Sequence, residues 1–416
     1  MYVFDKAKML LPKNTDMTKW SVVACDQYTS EPKYWESVKK TVGNNPSTLN
    51  IIFPEIFLNE ENGEKRISDI NENMKKYLES GVLYETEKCL IYVERTLKNK
   101  KVRKGIVGAI DLEKYDFSPK SESSIRATEK TVIERIPPRV KIRENASLEL
   151  PHIMLLIDDE KKRIIESLSD KKNSFEKLYD FPLMMDSGSI KGYKLSEKEC
   201  SIVLEKLSAL EDKNAFEEKY GVKNKGVLSF AVGDGNHSLA TAKTCYENAK
   251  KTVGEKEAEK IRYALVELVN LHDDSLEFEA IHRVLFNVDA EKFMCELKKK
   301  YDLKEEEGDD SFEIITEDAD KTYTVKNPDC NLTVGCLQNF IDKFLEENGG
   351  SIDYIHGSDV TKNLAKEKGN MGIILKPMKK SQLFKTVILD GSLPRKTFSM
   401  GEACDKRFYL EGRKLI

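Results

Sequence analysis

The sequence predicts a mixed α/β (α+β) fold. Three observations carry this. Short apolar runs alternate with longer segments of helical spacing along most of the chain. One glycine-rich turn joins an apolar strand directly to a long helix. The 416 residues are 39% hydrophobic and 34% charged, enough to fill two or three cores at ~150 residues each and to solvate their surfaces.

Taken in order, Trp20–Cys25 is an apolar run that reads as a strand and stops at Asp26-Gln27. A helix is expected from Pro32 to about Val42, where Asn45-Pro46 breaks the chain. Leu49–Phe53 reads as a second strand ending at Pro54-Glu55, and Ile67–Ser80 has helical spacing. Cys89–Thr96 and Arg103–Leu112 read as paired strands across the polar turn at Lys98. The segment from Arg126 to Arg143 is rich in arginine. Ile153–Ile157 is a buried strand, Glu160–Leu168 a helix, and Leu195–Tyr220 helical and heavily charged. Val227–Val232 is a short apolar strand, followed by a helix from about Ser238 and a strand over Ile261–Leu271. Ala290–Tyr301 is helical, and Phe312–Thr316 with Thr322–Val325 suits a hairpin. Ile352–Ile355, Gly372–Leu375 and Thr386–Leu389 then read as strands alternating with helices. The change of pattern places a domain boundary near residue 286. This divides the chain into a catalytic region at 1–286 and a C-terminal α/β lobe at 287–416 that contributes to the site.

Composition excludes several function classes. The formal net charge is −4, which gives no global basic field to attract nucleic acid or an anionic membrane. No apolar run approaches the ~20 residues of a membrane helix, and the N-terminus lacks the pattern of a secretory signal. The eight cysteines are scattered. The closest pair, Cys330 and Cys336, has no matching histidine cluster, so a zinc site is not expected. The reading is a cytoplasmic protein with reduced thiols.

The most informative segment is Gly233-Asp234-Gly235-Asn236-His237-Ser238. Glycines allow a sharp turn and close approach of backbone to ligand. The first turn of a helix offers free N–H groups and a positive dipole end, which together bind anions. Ser238 can cap the helix or donate to a phosphate oxygen, His237 can donate to or pair with phosphate, and Asp234 can hold Mg²⁺. An ordinary glycine turn with a serine cap has the same spacing.

This turn resembles that of the ParB/sulfiredoxin-like superfamily, above all its free-serine kinases, which read Asp-Gly-His-His-Arg. The chain is identified as a member of a large bacterial family of long-unknown function related to those kinases, some of whose members are pyrophosphate-dependent serine kinases. The resemblance spans Cys25-Asp26-Gln27, Asn45-Pro46-Ser47, Pro54-Glu55, Arg126–Glu129, Gly233–Lys243, His282-Arg283 and Leu393–Met400. It implies a ParB/sulfiredoxin-like core with a C-terminal α/β lobe. Asn236 stands where sulfiredoxins carry their reactive cysteine, so sulfinic acid reduction lacks its nucleophile. The arginines of the DNA-partitioning relatives are absent too, and Ser238 replaces the kinase arginine.

Phosphoryl transfer needs charge neutralisation, an in-line nucleophile and a proton acceptor. The resemblance makes Asp26 the general base, with Glu55 in reserve. Arginine binds phosphate in a bidentate way, and Arg126, Arg135, Arg139 and Arg143 lie close in sequence. Such a cluster suits a dense anion such as pyrophosphate. It equally suits a solvated face paired with Glu129, Glu134 and Glu144. By resemblance, His282, Arg283, Lys396, Thr397 and Ser399 contact phosphate or substrate. The expected function is phosphorylation of free L-serine to O-phosphoserine, with Mg²⁺ as cofactor and Asp234 as its ligand. The expected donor is pyrophosphate, since no G-x-x-x-x-G-K-[ST] loop is present. A nucleotide-dependent kinase of serine or another small alcohol, and a non-catalytic nucleotide-binding regulator, remain alternatives.

Overall fold

The structure is a computed structural model that describes residues 2–58 and 60–415. The fold is mixed α/β, as expected. The chain forms two compact units. The first holds Met1–Ala127, Thr131–Leu276 and Glu402–Ile416; the second holds Thr128–Lys130 and Glu277–Gly401. The division therefore falls at Leu276/Glu277 and not near 286, and the last segment of the chain belongs to the first unit. The expected boundary rested on a hairpin that lies wholly inside the second unit.

The first unit is built on a large mixed sheet. Its strands are β1 (Phe4–Asp5), β2 (Ile91–Thr96), β3 (Val102–Asp111), β4 (Tyr115–Asp116), β5 (Ile125–Ala127), β6 (Met154–Ile157), β7 (Glu176–Pro182), β8 (Ser189–Lys194), β9 (Phe230–Asp234) and β10 (Tyr263–Asn270). They lie in the order β7-β8-β2-β3-β10-β6-β9-β5-β4, with β1 against β3. The β2–β3 and β3–β10 pairs are antiparallel, whereas β6–β10 and β5–β9 are parallel. Alternation along β2 explains why both faces are covered. Tyr92 packs with Ile106, Leu155 and Phe230 on one side, while Ile91 and Val93 join Val107, Ala109 and Leu265 on the other. The first face is covered by the helix Glu197–Ser208 and by the helix following β9, the second by Pro32–Val42 and by Phe408–Leu410.

The second unit carries a sheet of β11 (His282–Phe286), β12 (Leu303–Lys304), β13 (Phe312–Ile315), β14 (Asp320–Val325), β15 (Ser351–Ile355) and β16 (Asn370–Leu375), in the order β12-β14-β13-β16-β11-β15. Every pairing in it is antiparallel.

Several expected elements differ. Trp20 ends a short helix, and Ser21–Ala24 is extended but held mainly by the segment 407–409, including an isolated bridge from Val23 to Phe408. Leu49–Phe53 is largely a 3₁₀ turn, Thr48–Ile51. The helix expected over Glu160–Leu168 is a 3₁₀ segment, Glu166–Ser174. Thr386–Leu389 is the end of the helix Lys380–Leu389, because Leu383, Phe384, Val387 and Ile388 share one buried helical face. Among the described residues, no helix is long and apolar enough to cross a membrane.

Candidate functional site

The site of the first unit is assembled around the end of β9. Opposite β9, residues Val232 and Asp234 pair with Leu155 and Met154 of β6, so Gly233 is the extra residue of a bulge. A bulge bends the strand and re-aims the side chain after it, here Asp234. Gly235 follows at φ 78° and ends the strand. A Cβ at this position would stand 3.0 Å from Cα of Ile153 and 3.4 Å from the His152 ring, so backbone conformation and contact both require glycine.

The helix α2 (Asn236–Thr252) begins two residues earlier than Ser238, with Gly235 as its N-cap and no side chain capping it; α1 is the earlier helix Ile136–Arg143. Ser238 is thus the third helical residue and not the cap. Asn236 turns inward, and its Oδ1 is buried without a hydrogen-bond partner among the described residues. His237 accepts the backbone N–H of Val132 at Nε2 over 3.2 Å. Its neutral ring therefore carries its hydrogen on Nδ1. Burial pushes the His237 pKa down to about 4, with Arg139 and Arg135 adding to the effect and Asp26 opposing it.

Asp26 lies beside this turn. Its backbone is fixed from both sides. Ala24 N–H donates to the Arg407 carbonyl at 2.9 Å, and Glu55 N–H donates to the Cys25 carbonyl at 2.8 Å. The carboxylate accepts the Gln27 amide at 3.0 Å, and His152 Nε2 stands 3.9 Å from its other oxygen. Burial acts to raise the Asp26 pKa. The His152 ring, the Gln27 amide and the Lys406 ammonium together outweigh it and hold the carboxyl below its usual range.

His152 was not singled out by the sequence. Tyr409 Oη accepts the Cys25 N–H at 3.1 Å and lies 2.8 Å from His152 Nδ1. This contact holds the His152 ring in place; in the tautomer with the phenol donating to Nδ1, the ring hydrogen sits on Nε2, facing Asp26. Arg407 places the ring by donating to the carbonyl of Pro151 at 3.1 Å while pairing with buried Glu267 and Glu411. Lys406, also unforeseen, pairs with Asp234 at 3.3 Å.

The arginines do not act as one cluster. Arg139 pairs with Glu55 and donates to the Arg135 carbonyl. These two arginines lie close enough to depress the His237 pKa. Arg126 is 3% exposed and donates to the carbonyls of Ser123 and Gly226. Arg143 pairs with Glu149, which is also held by Arg413 and the Leu265 N–H. Arg126 and Arg143 therefore have structural tasks in place of the phosphate contacts expected of them. Two loop carbonyls hold the Arg126 donors, and a buried carboxylate holds Arg143.

The remaining candidates lie in the second unit. His282 accepts the Leu375 N–H at Nδ1 over 3.2 Å. Arg283 is 1% exposed; it donates to Gln338 and the Ile281 carbonyl, and its Cζ lies 5.3 Å from the centre of the Tyr354 ring. Thr397 and Ser399 donate to the carbonyls of Pro394 and Gly401, while Lys396 is exposed at φ 59°.

Asp234 offers a single carboxylate, which accepts the Gly235 N–H at 3.0 Å and pairs with the Lys406 ammonium. Among the described residues, Asp234 belongs to no group of three protein ligands. A lone carboxylate would hold Mg²⁺ only together with the oxygens of a bound phosphate, the mode usual for that ion. Lys406 supplies positive charge at the same carboxylate.

A family model described as "Protein of unknown function (DUF1015)" matches residues 8–347. The chain belongs to the DUF1015 family. This agrees with the family of long-unknown function identified from the residues. No curated protein matches the DUF1015 chain. Among solved structures it is similar to a conserved hypothetical protein from Pyrococcus furiosus, at 13% identity and TM-score 0.36, covering 76% of this chain and 97% of that one. A free serine kinase in complex with AMP matches at 10% identity and TM-score 0.38, covering 76% and 93%. SbnI from Staphylococcus aureus, with a C-terminal truncation, matches at 9% identity and TM-score 0.35, covering 71% and 82%.

Proposed function

We propose that this DUF1015 chain is a small-molecule kinase that transfers a phosphoryl group from pyrophosphate to the hydroxyl of free L-serine. The observation that carries the reading is the pairing of an ionised Asp26, held by Gln27 and facing His152, with the uncapped N-terminus of α2 beyond the Gly233 bulge. A carboxylate kept ionised in a partly desolvated position suits a general base. An uncapped helix end suits an anion.

In this mechanism Asp26 takes the proton of the serine hydroxyl as its oxygen attacks phosphorus. The bond from phosphorus to the bridging oxygen breaks, and orthophosphate leaves. The N–H groups of the first turn of α2 and the Nδ1–H of His237 donate to phosphate oxygens. Lys406 and Arg139 offset the charge that builds up there. Bound Mg²⁺, held by Asp234, would supply further neutralisation. The Tyr409–His152 pair keeps a ring hydrogen directed at Asp26 and so orients the base. Pyrophosphate is preferred as donor because the sequence contains no Walker-type loop for a nucleotide.

The test is phosphoserine formation by purified protein with L-serine and Mg²⁺, offering pyrophosphate, ADP and ATP separately. Product is expected with pyrophosphate, and Asp26→Asn should lower kcat by about 10²- to 10⁴-fold. Product only with a nucleotide would overturn the donor. Full activity in Asp26→Asn would overturn the base, and no product with any donor would overturn the kinase itself.

A further inference from the structure

Away from the site described above, the described residues contain two groups of three side chains whose ligating atoms all lie within 4.8 Å of one another. Asp158, Glu160 and His272 form one. Its Asp158 is already committed to the Lys219 ammonium at 2.9 Å, the Tyr220 hydroxyl at 2.6 Å and His272 at 2.6 Å. Asp329, Cys330 and Cys336 form the other, in the second unit. Here the carboxylate meets two thiols.

We propose that Asp329, Cys330 and Cys336 bind a thiophilic divalent cation of the zinc class. The loop before helix α3 (Thr333–Asn348) brings them together. Cys336 lies in the first turn of that helix and is 0% exposed, whereas Cys330 precedes it and is partly exposed. Gly335 makes the approach possible. A Cβ there would stand 3.2 Å from the Cys330 Cβ and 3.4 Å from its sulfur, so a larger residue would push Cys330 off the helix. Glycine is a poor helix former relative to alanine, and seating this sulfur is what the position gains.

The surrounding donors are those a metal site requires. Tyr301 donates its hydroxyl to Asp329 Oδ1 at 2.7 Å, which orients the carboxylate. Asn339 Nδ2 lies 3.5 Å from the Cys330 sulfur, in reach to donate to it. The Cys330 thiol faces Asp329 Oδ1 at 3.7 Å, and the Cys336 thiol also bonds to Asp329. Such outer contacts fix ligand geometry in metal sites. Two sulfurs and one carboxylate match the preferences of zinc and would leave a fourth ligand for solvent to supply. Lys300 stands 3.7 Å from the carboxylate and would offset the extra negative charge of the loaded site. Spacing in the sequence pointed away from zinc because no histidine matched the cysteines; the fold supplies Asp329 instead.

Binding exchanges two thiol protons for one divalent cation, with no change of oxidation state. The test uses the reduced, metal-free full chain titrated with Co²⁺ as a spectroscopic probe and then with Zn²⁺. The expected result is one equivalent of Co²⁺ with a sulfur-to-cobalt charge-transfer band, bleached by Zn²⁺. Zinc should release two protons per ion in weakly buffered neutral solution. Cys330→Ser should abolish the band, and Tyr301→Phe should weaken binding at least about tenfold. Cys330→Ser, at a partly exposed position, keeps the test valid if Cys336→Ser fails to fold. Absence of the band in the native chain, or a band that survives Cys330→Ser, would overturn the proposal. This proposal is independent of the kinase reading.

Discussion

Asp26 is a carboxylate in conflict, and the outcome of the conflict sets its chemistry. Burial favours its neutral form, but His152, Gln27 and Lys406 outweigh burial. A group whose folded pKa is depressed contributes stability above its unfolded value, and that contribution is lost as pH falls through the folded value. In the proposed mechanism the same sign governs activity, because only an ionised Asp26 accepts the proton. The acid limb of kcat/KM for phosphoserine formation should therefore lie below the ordinary aspartate value of ~3.9. Tyr409→Phe removes the hydroxyl that fixes the His152 ring without emptying its space. It should move the acid limb upward and lower kcat/KM between about ten- and a hundredfold. An unmoved acid limb would show that the ring is held by packing alone. None of this was legible in the sequence. Asp26 stood out at the end of an apolar run, but His152 is meaningful only through Tyr409, which lies 257 positions further along the chain. The one signal available was its place beside Pro151 at the start of a buried strand, as one of only five histidines.

At the scale of elements, the strand–turn–helix unit was the most legible part. Its apolar run, its glycines and its helical spacing are all local properties, and the structure places β9 and α2 there. The helix cap was misplaced because a glycine in a left-handed conformation took the role that a serine usually has. Gly235→Ala combines strained backbone with a 3.0 Å contact to Ile153. It should cost about 1–3 kcal/mol, measured by urea unfolding, and weaken binding of inorganic phosphate. Unchanged phosphate affinity in that variant would count against the turn as the anion site. Ser21–Ala24 shows why other elements escaped. Apolar residues there are extended, as the pattern suggested, yet their partners come from residues 407–409 and no local signal points to them. Arg126 and Arg143 escaped for a similar reason. Arginine in a cluster reads the same whether it faces a ligand or a buried carboxylate such as Glu149.

For the whole molecule, the order of the chain matters more than its length. The chain leaves the first unit after Leu276 and returns to it at Glu402. The returning segment brings Lys406, Arg407, Tyr409, Glu411 and Arg413. Arg407 is the hydrogen-bonded counter-ion of buried Glu267, and Arg413 shares Glu149 with Arg143. Stripping a buried carboxylate of its partner costs ~3–5 kcal/mol, a large part of the stability of an ordinary domain. Removal of residues 402–416 should therefore leave the first unit without cooperative unfolding in near-ultraviolet circular dichroism. A truncated chain that unfolds in one sharp transition would mean that the sheet alone holds the unit.

That route also bears on how the protein is born. A ribosome adds about 5–20 residues per second and releases the N-terminal part first. The groups that fix Asp26 and neutralise Asp234 are Tyr409 and Lys406, so they are made only after every strand of the first unit's large sheet. While the second unit is being made, the nascent chain already carries all ten strands of the large sheet but not the partners of Asp26 and Asp234. Premature termination anywhere between Glu277 and Gly401 yields a product that lacks both of these partners.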